Sequence, residues 1–204
     1  MNIGIDIDDT ISETFEILLP YSQKYTIEDL KRESNIDINK NLSNHLYVEK
    51  VNNWNDIETK NFWEKYYGTI LREVKIKKFA SETINRLKEK GHKIYLITAR
   101  SKVFNSNTEQ ITKKWLIDNN VEYDKLIINA SDKLKIIKEN NIDLFIDDSY
   151  TNCKEVSENT NTHVYMMTSM INRNFKDEKI KRVYSWPEIY YLINKEEEEW
   201  ILQN

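Results

Sequence analysis

The stretch Met1-Asn2-Ile3-Gly4-Ile5-Asp6-Ile7-Asp8-Asp9-Thr10 decides the fold. Asn2 to Asp6 is apolar and too short for a helix, so it reads as a strand, and acidic residues crowd its carboxyl end. Working outward, Lys93 to Thr98, Lys125 to Asn129, Asp143 to Asp147 and His163 to Thr168 are further strand candidates, rich in Ile, Leu, Tyr or Val. The intervals carry helical spacing: Ala80, Ile84 and Leu87 before Gly91, then Ile111, Trp115 and Leu116, then Leu134 and Ile137 before the Asn140-Asn141 stop. Strand and helix alternate, which predicts an α/β chain with a three-layer, Rossmann-like parallel sheet.

From about Glu13 to Lys75 the rhythm breaks. Phe15, Leu18, Leu19, Tyr25, Leu30, Trp54, Ile57, Phe62, Trp63, Tyr66 and Tyr67 follow one another without a strand pattern. This predicts a helical cap, residues 15–75, inserted after the first strand into a core formed by residues 1–14 and 76–204. An insertion there emerges where ligands bind in open α/β sheets, and so reads as a lid. Trp186 to Trp200 reads as a last helix started by Ser185 and Pro187, with Glu196 to Glu199 a solvated face.

The composition narrows the function. The 204 residues suffice for one core with an elaboration, and 39% hydrophobic with 31% charged residues is ordinary for a globular chain. A net charge of −4 supplies no attraction for polymeric nucleic acid or an acidic membrane, so a nucleotide ligand would be small. With no signal-peptide pattern and no membrane-length apolar run, the expected location is the cytoplasm. Cys153 is the single cysteine, which excludes an internal disulfide and reads as a packing or surface thiol. Gly4, Gly68 and Gly91 are far apart, which excludes a Gly-rich phosphate loop. Any bound phosphate must be held by side chains and a metal.

Asp6, Asp8 and Asp9 would repel one another at the end of a buried strand, and a cation is the simplest resolution. Asp147 and Asp148 end a second strand, so the two groups meet if those strands are neighbours. Few, hard oxygen ligands suit Mg²⁺, which shares its shell with water and phosphate. One such pair alone is as well explained by a turn or helix cap. Thr98 also ends a strand and Lys133 opens a helix, though a cap and a surface charge are their plain alternatives. His45, His92 and His163 have no partner spacing that suggests zinc or a dyad, and Lys135 and Lys138 read as solvent-facing.

In this order, Asp6-Ile7-Asp8-Asp9-Thr10, Thr98, Lys133 and Asp147-Asp148 resemble the four motifs of the haloacid dehalogenase superfamily. Thr98-Ala99-Arg100, Lys114-Trp115-Leu116, Tyr123-Asp124-Lys125-Leu126, Asp132-Lys133 and Leu144-Phe145-Ile146-Asp147-Asp148-Ser149 are further similar to its cytosolic deoxyribonucleotidase (5′-nucleotidase) branch. The resemblance implies a Mg²⁺-dependent phosphatase working through an aspartyl-phosphate. Asp6 would be the nucleophile and a metal ligand; Asp8 the general acid and base, its carbonyl also on the metal; Asp147 the remaining ligand; Asp148 a more distant partner. Thr98 and the amide of Ala99 would hold the phosphate, and Lys133 would offset its charge. Thr10 would orient the loop after the nucleophile.

Arg100 departs from the small residue or proline common at its position, and would touch substrate or pair with a carboxylate. Trp54, Phe62, Trp63 and Tyr66 could stack a nucleobase or form the cap's own core, and Trp63 is the expected substrate contact among them. The expected partner is a small phosphorylated substrate, a nucleoside monophosphate and plausibly a deoxyribonucleotide. Three other readings stay open: a phosphatase of another small metabolite, a receiver domain phosphorylated on aspartate, and a non-catalytic nucleotide binder. The receiver is disfavoured by motif order, since here the lysine precedes a second acidic pair.

Overall fold

The computed structural model describes residues 1–34 and 48–203, with side chains as far as Glu196. Its sheet has six strands, all parallel, in the order β3-β2-β1-β4-β5-β6. These are β1 (Asn2–Ile5), β2 (Lys93–Ile97), β3 (Lys125–Ile127), β4 (Leu144–Asp147), β5 (His163–Met167) and β6 (Lys181–Val183). The first five fall on the expected apolar runs. The sixth, Lys-Arg-Val at the sheet edge, is too short and polar to be legible as a strand.

Side chains alternate faces along each strand, and the two faces have separate cores. Ile3, Ile5, Ile94, Leu96, Leu144 and Ile146 pack with α4 (Ala80–Glu89), α5 (Thr108–Asp118) and α8 (Trp186–Gln203) through Ala80, Ile84, Leu87, Trp115, Leu116, Ile189 and Ile193. On the other face Ile97, Phe145, Val164 and Met166 meet α6 (Lys133–Glu139) and α7 (Tyr150–Asn159) through Ile137, Cys153 and Val156. Three layers result, as a parallel sheet requires. Cys153 is a buried packing residue, and burial pushes its thiol well above the usual range. The last helix begins where Ser185 Oγ accepts the amide of Glu188. Among the described residues no helix is long and apolar enough to cross a membrane.

Gly4 faces this second core with little room. A Cβ there would lie 3.0 Å from Ile97 Cδ1 and 3.1 Å from Ile142 Cγ2. Gly4→Val should therefore cost about 1–3 kcal/mol by overpacking. A urea midpoint unchanged from wild type would show that the sheet yields there.

The insertion after β1 is helical, as expected. Its described residues comprise α1 (Thr14–Lys24), a π-helical turn (Tyr25–Asp29), α2 (Val48–Val51) and α3 (Asp56–Glu73). A capping box starts α3: Asn55 Oδ1 accepts the Glu58 amide while Glu58 Oε2 accepts the Asn55 amide. Entry and exit chains run side by side at an antiparallel bridge between Ser12 and Ile76, flanked by Glu13 N–H to Lys75 O and Lys77 N–H to Ile11 O. Tyr25, Val48, Trp54, Phe62, Tyr66 and Ile70 form the insertion's own core. The plain alternative thus holds for Trp54, Phe62 and Tyr66, which are buried among one another and not offered as a stacking surface.

Candidate active site

Strand register brings the two acidic groups together. Ile5 pairs with Ile146 in adjacent β1 and β4, so the next residues, Asp6 and Asp147, are neighbours, and the Asp6 amide donates to Ile146 O at 2.9 Å. By alternation both carboxylates point to the face covered by α6 and α7. The connections after β1 and β4 pass to opposite sides of the sheet, opening the crevice in which such sheets bind ligands. One oxygen each from Asp6, Asp147 and Asp148 lies within 4.8 Å of the others.

Lys133, the first residue of α6, enters the same place. Asp132 caps the helix by accepting the Lys135 amide at 2.9 Å. The buried Lys133 Nζ donates to Asp6 Oδ1 at 2.5 Å and to Asp147 Oδ2 at 2.6 Å, whereas Lys135 and Lys138 are exposed. Burial pulls the ammonium down, but Asp147 and Asp6 outweigh it and hold it above its usual value. Burial, together with Asp147 and Asp8 and against the pull of Lys133, pushes Asp6 up to about 7. Burial and the charges of Asp147, Asp9 and Asp6 raise Asp148 well above the carboxylate range. Three carboxyls against one ammonium leave two negative charges when ionised, and the donors are all hard oxygens. The cluster suits a metal cation.

Asp147 is held from behind by the Ser149 amide on Oδ1 at 2.7 Å and Asn152 Nδ2 on Oδ2 at 3.1 Å. Buried Asn172 donates to the carbonyls of Asp148 and Met167, at 2.6 and 2.7 Å. Neither asparagine was singled out from sequence; Asn152 lies three residues beyond the helix-capping Ser149, whereas Asn172 sits in a loop without a motif.

Asp8 turns to a different partner. Its carboxylate takes a two-pronged hydrogen bond from Arg100, Nη2 to Oδ1 at 2.8 Å and Nε to Oδ2 at 3.0 Å. Thr14 donates to Oδ1 at 2.7 Å and Thr98 to Oδ2 at 3.4 Å. Loss of water around Asp8 works upward, yet Arg100 and Thr14 hold it below its ordinary value. Of the two roles expected for Arg100, pairing with a carboxylate is the one seen. Thr98 follows β2 fully buried, and its Oγ1 accepts the Arg100 amide at 3.2 Å; Ala99 beside it is exposed. Asp9 adopts a left-handed φ of 58° and accepts the Phe15 amide at 2.9 Å, which turns the chain out of β1. Thr10 Oγ1 is buried without a hydrogen-bond partner, while its carbonyl accepts Trp186 Nε1–H at 3.1 Å.

The cap reaches the site through α3. Tyr67 Oη accepts the Ser101 amide at 3.1 Å, and the half-buried Trp63 lies against Tyr67 and stacks on Phe104, with 6.1 Å between the Trp63 and Phe104 ring centres and 27° between their planes. Tyr67 and Phe104, which join this group, were not picked out from sequence as contacts. His92 is buried with Nδ1 3.3 Å from the N-terminal amine, His163 is exposed at the start of β5, and His45 lies outside the described residues.

No protein-family model matches the chain. It is 28% identical over 196 residues to a nucleotidase of Clostridium acetobutylicum, covering 96% of this chain and 94% of that protein. It is likewise 28% identical over 208 residues to a candidate nucleotidase of Bacillus subtilis, covering 100% and 99%. Among solved structures, the fold superposes on a haloacid dehalogenase-superfamily hydrolase of Geobacter sulfurreducens, with a TM-score of 0.63, 14% identity and coverage of 94% and 98%. A haloacid dehalogenase-like hydrolase of Streptococcus pneumoniae gives a TM-score of 0.65 at 12% identity, with coverage of 94% and 97%. The fold is that of haloacid dehalogenase-like hydrolases. The helical insertion after β1 lies where the alternation of strand and helix breaks in the sequence, and Lys133 contacts both Asp6 and Asp147.

Proposed function

We propose that the chain is a Mg²⁺-dependent phosphomonoesterase acting on nucleoside monophosphates, with deoxyribonucleotides preferred, through an aspartyl-phosphate on Asp6. One observation carries this reading: Asp6, Lys133, Asp147 and Asp148 meet at a single point in the crevice, with Asp8 beside them. The full-length relatives named as nucleotidases support the substrate class. The motif stretches similar to deoxyribonucleotidases support the sugar preference.

Asp6, the Asp8 carbonyl and Asp147 would hold the ion, with Asp148 adjoining. When bound, Mg²⁺ neutralises charge so that two anions can approach. Asp6 then attacks phosphorus, the P–O ester bond breaks, and the Asp8 carboxyl gives its proton to the departing alkoxide. In the second half-reaction water attacks the phosphoaspartate, Asp8 takes the water proton, and inorganic phosphate leaves Asp6. The resting Asp8, held ionised by Arg100 and Thr14, is in the form that the second half needs. An arriving phosphate dianion raises its proton affinity, so that it takes up a proton from solvent before the first. Lys133, already on Asp6, offsets charge as the phosphoryl group transfers, while the Thr98 hydroxyl and the Ala99 amide hold its oxygens. Trp63, with Tyr67 and Phe104, gives the base an aromatic wall beside the loop that carries Thr98.

Phosphate release from a panel of esters tests this. Nucleoside monophosphates should exceed sugar and amino-acid phosphates in kcat/KM by at least about tenfold, the discrimination expected when a stacking contact of about 1–3 kcal/mol is lost. Efficient hydrolysis of a sugar or amino-acid phosphate with no nucleotide turnover would overturn the substrate class.

A further inference from the structure

We propose that Arg100 is a positioning residue for Asp8, a fork that fixes one orientation of the carboxylate for proton transfer. This rests on the phosphomonoesterase reading and goes beyond it. The exposures decide between acting on substrate and acting through Asp8: the Arg100 side chain is 1% exposed and that of Asp8 32%. Arg100 therefore lies behind Asp8, and Asp8 faces the open site.

Each of the three guanidinium nitrogens already has an acceptor. Nε lies 3.0 and 3.2 Å from the two Asp8 oxygens and Nη2 2.8 Å from Oδ1, while Nη1 is turned to Thr112 Oγ1 at 3.4 Å. The guanidinium is backed by the Trp115 ring, with Cζ 5.6 Å from its centre. Its backbone is pinned at both ends: the amide donates to Thr98 Oγ1, and the carbonyl accepts the Asn129 amide at 2.9 Å. A planar, preorganised fork imposes an orientation on a carboxylate, which a lysine ammonium, a point charge on a flexible stem, does not. Asp8 held in this way loses no rotational freedom when substrate arrives, which is the benefit of positioning in catalysis.

The test uses Arg100→Lys and Arg100→Met with two esters, a nucleoside 5′-monophosphate and p-nitrophenyl phosphate. The first needs a proton on its leaving alkoxide and the second does not. On the nucleotide kcat should fall about 100-fold, the size of effect expected from a small misplacement, with KM changed less than about threefold. On p-nitrophenyl phosphate the fall should be about tenfold or less, since only the second half-reaction then calls on Asp8. Combined with Asp8→Asn, the Arg100→Lys loss should nearly vanish, because groups acting as one unit do not multiply their effects.

If these variants do not fold, Thr112→Val decides, since it loosens the fork without touching Asp8. It should lower kcat by about three- to tenfold with the same dependence on leaving group. A rise in KM at constant kcat would make Arg100 a substrate contact and overturn the proposal. Equal losses on both esters that multiply with Asp8→Asn would make it structural and overturn it too. No turnover of either ester by the wild-type protein would instead overturn the phosphomonoesterase reading.

Discussion

Asp6→Asn should lower turnover by a factor on the order of 10⁴ or more, the scale of loss when a covalent nucleophile is removed, and leave the protein folded. The amide is nearly isosteric, and its oxygen can still accept from Lys133, as Asp6 Oδ1 does at 2.5 Å. The substitution also removes a charge that burial resists, since Asp6 holds its proton up to about 7. Without metal at pH 8, the variant should therefore melt no lower than wild type. A trapped phosphoenzyme, present in wild type and missing in Asp6→Asn, would identify the nucleophile directly. Undiminished activity would mean that another group attacks phosphorus.

Removal of divalent metal should have the second largest effect. Chelation should lower activity by at least about 100-fold, as loss of several kcal/mol of charge stabilisation requires, and Mg²⁺ should restore it. Stability should respond to pH in the opposite sense to that of most paired carboxylates. Burial raises Asp6 from 3.8 to about 7 and Asp9 from 3.8 to about 6. Between these limits the folded metal-free chain binds more protons than the unfolded chain, so its stability falls as pH rises from about 4 to about 7. A tenfold difference in proton affinity between the folded and unfolded chain is worth about 1.4 kcal/mol.

A divalent ion prefers the ionised cluster, so stabilisation by Mg²⁺ should grow over the same window. At a concentration of 100 Kd it should amount to about 2.7 kcal/mol. For a chain of this size that is a rise in Tm of about 5–10 °C. Melting curves with EDTA or Mg²⁺ at pH 5 and pH 7.5 measure both effects. A Tm at pH 7.5 indifferent to Mg²⁺ would count against a metal site at Asp6, Asp147 and Asp148.

Much of the fold was legible because its signals are local. The core strands are apolar runs too short for helices, Gly91 and Asn141 end their helices in left-handed conformations, and Ser185 caps the last one. The edge strand β6 was not legible, because three residues at the sheet margin, only Val183 of them buried, carry no periodic pattern. Asp6, Asp147 and Lys133 were visible as chemistry at element ends. Tyr67, Asn152 and Asn172 were not, since their roles lie in hydrogen bonds made only once the chain is folded, to the Ser101 amide, the Asp147 carboxylate and the carbonyls of Asp148 and Met167, and composition does not mark such contacts.

The sequence alone determined that strands alternate with helices, that a helical segment interrupts them after the first strand, and that acids, a threonine and a lysine stand at element ends in one order. Periodicity and end chemistry are properties of neighbouring residues, so the chain displays them unfolded. Only the tertiary structure decided that β1 lies beside β4, that one ammonium serves both Asp6 and Asp147, and that Arg100 stands behind Asp8 rather than before the substrate. Each depends on residues far apart in the chain meeting in space, and the packing of the two sheet faces sets that distance.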